Sequence, residues 1–149
     1  MSALALSIAH LNFSYGQKQV LHDLSFDVSA GQCCILLGPN GAGKSTLFSL
    51  ITRLYEQDES SITLAGFDVK AQPLKALAQL GVVFQQTTLD LDLTVEQNLF
   101  YHAALQGMAK RPARKRIQQQ LEQLAMYERR TELVRQLNGG HRRRVEIAR

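Results

Sequence analysis

Nine residues constrain this chain more than any others: Gly38-Pro39-Asn40-Gly41-Ala42-Gly43-Lys44-Ser45-Thr46. They fit G-x-x-x-x-G-K-[ST], a loop that cradles phosphate with its backbone. Gly38, Gly41 and Gly43 carry no side chain, so the loop can curl and its N–H groups can converge on an anion. The run Cys33-Cys34-Ile35-Leu36-Leu37 before it reads as a buried strand. Lys44 to Leu54 after it reads as a helix, with Leu47, Leu50, Ile51 and Leu54 at helical spacing. The first-turn amides of that helix lack intrahelical partners and add a positive dipole end. Gly38, Asn40, Gly41, Ala42, Gly43, Lys44, Ser45 and Thr46 are therefore the candidate nucleotide-phosphate contacts. Lys44 supplies a compact cation for the outer phosphates, and Thr46 a hydroxyl for the inner one. The Ser45 hydroxyl is a hard oxygen ligand for Mg²⁺.

The 149 residues suffice for one modest domain with a real core. No apolar run approaches the length of a membrane span. No Lys or Arg precedes Lys18, which argues against a secretory signal. Two adjacent cysteines, Cys33 and Cys34, do not make a disulfide framework; as strand residues they are expected to pack in the core. Charge is uneven: residues 1–100 hold five basic and nine acidic groups, residues 101–149 twelve and four. A basic half is one mark of a nucleic-acid partner. Only Tyr101 and Tyr127 interleave it, so a solvated helix face is the preferred reading and nucleic acid is not the expected partner.

Leu4, Leu6 and Ile8 alternate as in a half-buried strand, and Asn12 to Tyr15 continue it. Val20–Leu21 and Leu24–Val28 read as two further short strands, giving an N-terminal β-meander. A polar turn is expected at 57–60, then a strand at Ser61–Leu64, a short helix over Gln72–Leu80 and a buried strand at Val82–Phe84. From Gln86 the pattern is helical. Thr94-x-x-Gln97 has capping-box spacing and starts a helix to about Gln106. Pro112 begins another to about Met126, a weaker element covers Tyr127–Leu137, and a last helix starts near Gly140.

That last helix carries the second informative stretch, Leu137-Asn138-Gly139-Gly140-His141. Asn138 is a strong N-cap type, and two glycines open the first-turn amides to an anion. A twin-glycine helix start following a phosphate loop resembles the nucleotide-binding subunit of ABC transporters, whose signature loop reads L-S-G-G-Q. The following Arg142-Arg143-Arg144-Val145-Glu146-Ile147-Ala148-Arg149 is similar to the family's continuation. The resemblance spans essentially the whole chain. It implies an α/β fold: a P-loop NTPase core with an N-terminal antiparallel β subdomain over residues 1–85, and a helical subdomain with the signature loop over 86–149.

The resemblance also implies roles. Tyr15 resembles the aromatic that stacks on adenine; the competing reading is a strand tyrosine packed on its own sheet. Gln85 resembles the Q-loop glutamine that reaches Mg²⁺ or the attacking water. Leu89 to Leu99 is similar to the matching segment of exporter-type members. Asn138, Gly139 and Gly140 would cover the ATP of a sister copy, and a separate membrane-spanning permease would carry the substrate, with this subunit peripheral on the cytoplasmic side. Asn138 and His141 depart from the usual serine and glutamine. The family's Walker B carboxylates and switch histidine do not occur in these residues. This stretch alone is therefore expected to be poorly stable, with an open apolar edge beside the P-loop strand, and not to hydrolyse ATP. Three other readings compete. A chromosome-organising ATPase needs a long coiled coil that residues 86–137 lack. A ribosome-associated tandem protein fits the basic half. A P-loop kinase or GTPase is disfavoured by the twin-glycine loop and Tyr15.

Overall fold

The computed structural model describes residues 3–56 and 61–149. The polar turn expected at 57–60 lies outside the described residues. The chain forms two compact units, Met1–Gly81 and Val82–Arg149. The expected subdivision fell at 85/86.

The first unit is built on a four-stranded sheet of order β2-β1-β3-β4, with every pairing antiparallel. Strands β1 (Leu4–Tyr15) and β2 (Lys18–Ser29) form a long hairpin; β3 (Ser61–Leu64) and β4 (Phe67–Asp68) complete the sheet. The two short strands expected between Val20 and Val28 are thus one continuous strand. Inward residues of β1 run Leu6, Ile8 and then Leu11 and Phe13, so the alternation changes parity. The pairing register shifts between Ile8 and Leu11. At that bulge His10 and Asp23 both take left-handed backbone, with φ of 53° and 45°. The His10 Nδ1 and Asp23 Oδ1 atoms lie 2.8 Å apart, and the Asp23 amide donates to Asn12 Oδ1. Helices α1 (Lys44–Ile51) and α2 (Pro73–Leu77) pack on this sheet. Leu47, Leu50 and Ile51 of α1 join Ile8, Leu11, Leu21, Ile62 and Leu64 in one core.

Two expected buried strands are absent. Cys33–Leu37 and Val82–Phe84 form no regular structure among the described residues, and Ile35 and Leu37 are 74% and 85% exposed. Cys33 and Cys34 are exposed rather than core. The physical reason is the ladder: a buried strand needs neighbours for its N–H and C=O groups. The antiparallel sheet pairs β1 to β4 with one another, and neither segment joins it. Helix α1 is also shorter than the periodicity implied, ending at Ile51, and Leu54 is exposed.

The second unit is helical: α3 (Val95–Leu105), α4 (Lys110–Gln123) and α5 (Gly139–Ala148), with 3₁₀ turns at Tyr127–Arg129 and Val134–Gln136. Thr94 Oγ1 accepts from the Gln97 amide, and Gln97 Oε1 accepts from the Thr94 amide, completing the expected capping box. Helix α4 starts two residues before Pro112. Proline is tolerated there because first-turn amides have no helical partner to lose. Ala113, Ile117 and Leu121 form its inward stripe, while Lys110, Arg111, Arg114, Lys115 and Arg116 are all exposed. Val95, Leu99, Leu121, Met126, Val134 and Val145 close the core. The Leu121 side chain is wholly buried there, so Leu121→Ala should destabilise this unit by about 2–5 kcal/mol. Urea unfolding followed by far-UV circular dichroism should show the lower midpoint.

Candidate functional site

The phosphate loop turns on Gly43. Its φ of 83° is left-handed, and it stands as the N-cap of α1 without any side-chain cap. A left-handed residue followed by the right-handed Lys44 turns successive amides to one side, forming an anion-binding concavity. The first intrahelical bond is Leu47 N to Gly43 O at 2.9 Å, so the amides of Lys44, Ser45 and Thr46 have no partner within the helix. The Lys44 ammonium folds back over the loop and donates to the carbonyls of Gly38 (2.7 Å) and Pro39 (2.6 Å). That places its charge beside the amides that face an anion.

Gly43 is required for a second reason. A Cβ there would lie 2.7 Å from Leu21 Cδ2 and 3.2 Å from both Val20 Cγ1 and the Val20 carbonyl oxygen. Strand β2 therefore sets the seat of the loop. Gly41 is also left-handed, at φ 85°, but open around its Cα.

Tyr15, at the end of β1, reaches this loop. Its hydroxyl lies 3.1 Å from Thr46 Oγ1 in the first turn of α1. Its ring meets Phe13 edge-on with centroids 5.0 Å apart, and Tyr55 edge-on at 5.7 Å; Phe13 and Tyr55 stack at 5.8 Å. Tyr15 is 46% exposed, so it is held without being covered. Both readings of Tyr15 describe part of this: it packs on sheet neighbours and also stands beside the phosphate loop. Tyr55 escaped sequence reasoning, because its partners lie at the far end of the hairpin.

In the second unit Asn138 caps α5: its Oδ1 accepts from the His141 amide at 2.8 Å. Gly139 and Gly140 are exposed, and nothing lies within 4 Å of a Cβ built at Gly139. The first-turn amides are thus open, as the twin-glycine pattern requires. Arg142 fixes the entry to the helix, donating through Nε to the Val134 carbonyl and through Nη2 to that of Arg135. Gln85 is exposed on a bend of the irregular segment that precedes α3.

Glu146 of α5 is the one carboxylate among the buried residues described, at 8% exposure. Burial pushes its pKa up. Hydrogen bonds from the Thr87 hydroxyl, the Thr88 amide and Arg143, with the Arg143 charge, outweigh burial and hold it below the ordinary glutamate value. Sequence reasoning took Arg142 to Arg149 as a motif continuation and missed this residue. The available signal was its spacing three residues after Arg143, on the side of Val145.

Two outcomes follow. Gly43→Ala forces a left-handed alanine against Leu21 and Val20, so it should lower both stability and phosphate affinity; thermal melting with and without Mg²⁺-ATP reads both. A lowered Glu146 pKa gives stability that is full above the ordinary glutamate value and is lost as pH falls through the lowered one. Glu146→Gln should flatten that acid limb in denaturant midpoints measured across pH.

Comparison with known proteins places the chain in a family. A family model described as ABC transporter matches residues 21–149. The chain is 38% identical over 149 residues to a Nod factor export ATP-binding protein I of Rhizobium johnstonii, covering all of this chain and 48% of that protein. It is 37% identical over 147 residues to a doxorubicin resistance ATP-binding protein of Mycobacterium tuberculosis, covering 97% of this chain and 44% of that one. The chain thus spans about half the length of the curated relatives it matches. Among solved structures, the ATP-binding subunit of an ABC transporter superposes with a TM-score of 0.80 at 26% identity, over 97% of this chain and 60% of that one. An ATP-binding cassette of an ABC transporter in its ADP conformation gives 0.83 at 25%, over 98% and 63%. With a family match over residues 21–149 and relatives of this identity, this chain belongs to the ABC transporter family.

Proposed function

We propose that this chain supplies the nucleotide grip of an ATP-hydrolysing subunit that drives a separate membrane-spanning permease. The observation that carries the reading is the left-handed Gly43 leading into α1, with Lys44 over the loop and Tyr15 bonded to Thr46. The names of the relatives, an export and a drug-resistance ATP-binding protein, support transport over the ribosome or nucleic-acid alternative. No helix among the described residues is long and apolar enough to cross a membrane, so the reading puts the path in the permease.

In this reading the amides of Gly41 and of Gly43 to Thr46 hold the β- and γ-phosphates, while the Ala42 amide donates to the Pro39 carbonyl (3.3 Å) and shapes the loop; Lys44 neutralises charge that develops during transfer. Ser45 offers Mg²⁺ a hydroxyl oxygen, and Gln85 an amide oxygen. This suits a hard cation whose remaining ligands are phosphate and water. Mg²⁺, when bound, would supply charge neutralisation to the phosphates. Among the described residues no cluster of three His, Cys, Asp or Glu could hold a metal. Tyr15 offers a ring face to adenine. Two copies pair head to tail, with Asn138, Gly139 and Gly140 of one capping the phosphates of the other. Asn138 uses Oδ1 on its own helix and leaves Nδ2 as a donor. The reading assigns these residues binding, charge neutralisation and water orientation, and assigns the proton acceptor to none of them.

In the intact protein, Lys44→Ala should abolish ATP turnover, measured as phosphate release; retained turnover would contradict the reading. Tyr15→Ala should cost about 1 kcal/mol of ATP affinity and weaken ATP more than inorganic triphosphate, as calorimetric titration would show. Asn138→Ser should raise turnover, since serine caps equally well and is smaller.

A further inference from the structure

The segment that carries Gln85 has almost nothing of its own to hold it. Among the described residues, no backbone–backbone hydrogen bond involves residues 82–88. What fixes it is one face of α5. Arg143 Nη1 donates to the carbonyl of Phe84, the residue before Gln85. Glu146 Oε1 accepts from the Thr88 amide at 3.1 Å, across 58 residues of sequence. Arg149 Nη1 donates to the Thr88 carbonyl (3.2 Å) and hydroxyl (2.8 Å). Arg143 also donates to Glu146 Oε2 at 3.1 Å, which locks the two anchors into one unit. Arg143 and Glu146 stand three apart and are neighbours on the helix surface, and Arg149 follows at its C-cap.

A buried carboxylate is a poor way to gain stability. Desolvation opposes its charge, and an apolar side chain of similar size often serves a core as well or better. An ion pair with a buried carboxylate and a half-exposed guanidinium does give direction: the Glu146 oxygens are committed to particular donors. Here those donors belong to the Gln85 segment and to the helix whose first turn is Asn138-Gly139-Gly140. The helix start and the Gln85 bend are therefore clamped to one rigid element.

We propose that Arg143 and Glu146 are positioning residues for Gln85, tying it to the helix that presents the twin-glycine loop. The inference rests on the role given to Gln85 above. Displacement of Gln85 shifts the amide oxygen offered to Mg²⁺ and water, and a displacement of one ångström is enough to lower a rate without changing binding. Neither residue touches the nucleotide in this account; both act through the bend.

The test uses steady-state ATP turnover of the intact protein, with Glu146→Gln, Arg143→Gln, Gln85→Ala and the two doubles. Hydrogen exchange at residues 84–88 and melting temperatures accompany it. Glu146→Gln and Arg143→Gln should each lower kcat about tenfold and leave KM for ATP within about twofold. Both should quicken exchange at 84–88, and neither should lower kcat further once Gln85 is alanine. Normal kcat in both single variants, beside a damaged Gln85→Ala, overturns the positioning role alone. A further fall of equal size in the Gln85→Ala background also overturns it, because it marks general damage. If Gln85→Ala itself keeps normal kcat, the role of Gln85 falls and the inference with it.

Discussion

Everything in the first unit turns on a single backbone inversion at Gly43. A left-handed residue there lets the chain leave the loop and enter α1 with its free amides gathered on one side. Strand β2 makes the inversion specific, because Leu21 and Val20 leave no room for a side chain. Leu47, Leu50 and Ile51 then bury against the same sheet and hold the helix in place. The hydrophobic core thus acts on function through geometry. It fixes an axis, and the axis aims the amides.

The second unit solves a similar problem with different means. Its helix start is made by Asn138, which caps with its side chain and leaves two bare glycines exposed. The body of the helix is then used as an anchor, through Arg143, Glu146 and Arg149. A satisfied buried carboxylate costs little only while all its donors stay in place. That links the shape of the Gln85 segment to the orientation of α5.

What could be read from the sequence was local. The capping box at Thr94 and the cap at Asn138 each depend on residues within one turn, and the structure shows both as expected; it also starts α1 at Lys44, directly after the glycine loop. The antiparallel β subdomain was legible from alternation in β1, although the parity change at His10 was not: a bulge depends on the partner strand. Cys33–Leu37 and Val82–Phe84 failed for the same reason. An apolar run specifies a wish to be buried, and only a neighbouring strand makes it a strand. Tyr15 stood out in the sequence, but its brace Tyr55 did not, and Glu146 was hidden inside a basic stretch whose average character is exposed. These contacts join residues far apart in sequence, where periodicity carries no signal.

The central claim is that main-chain amides around Lys44 grip a nucleotide's phosphates. The most direct measurement is amide chemical-shift mapping of the intact protein titrated with Mg²⁺-ATP. The account predicts the largest shifts at Gly41, Gly43, Lys44 and Ser45, with Tyr15 following only when the base is present. Saturable binding that left those four amides unmoved would contradict it.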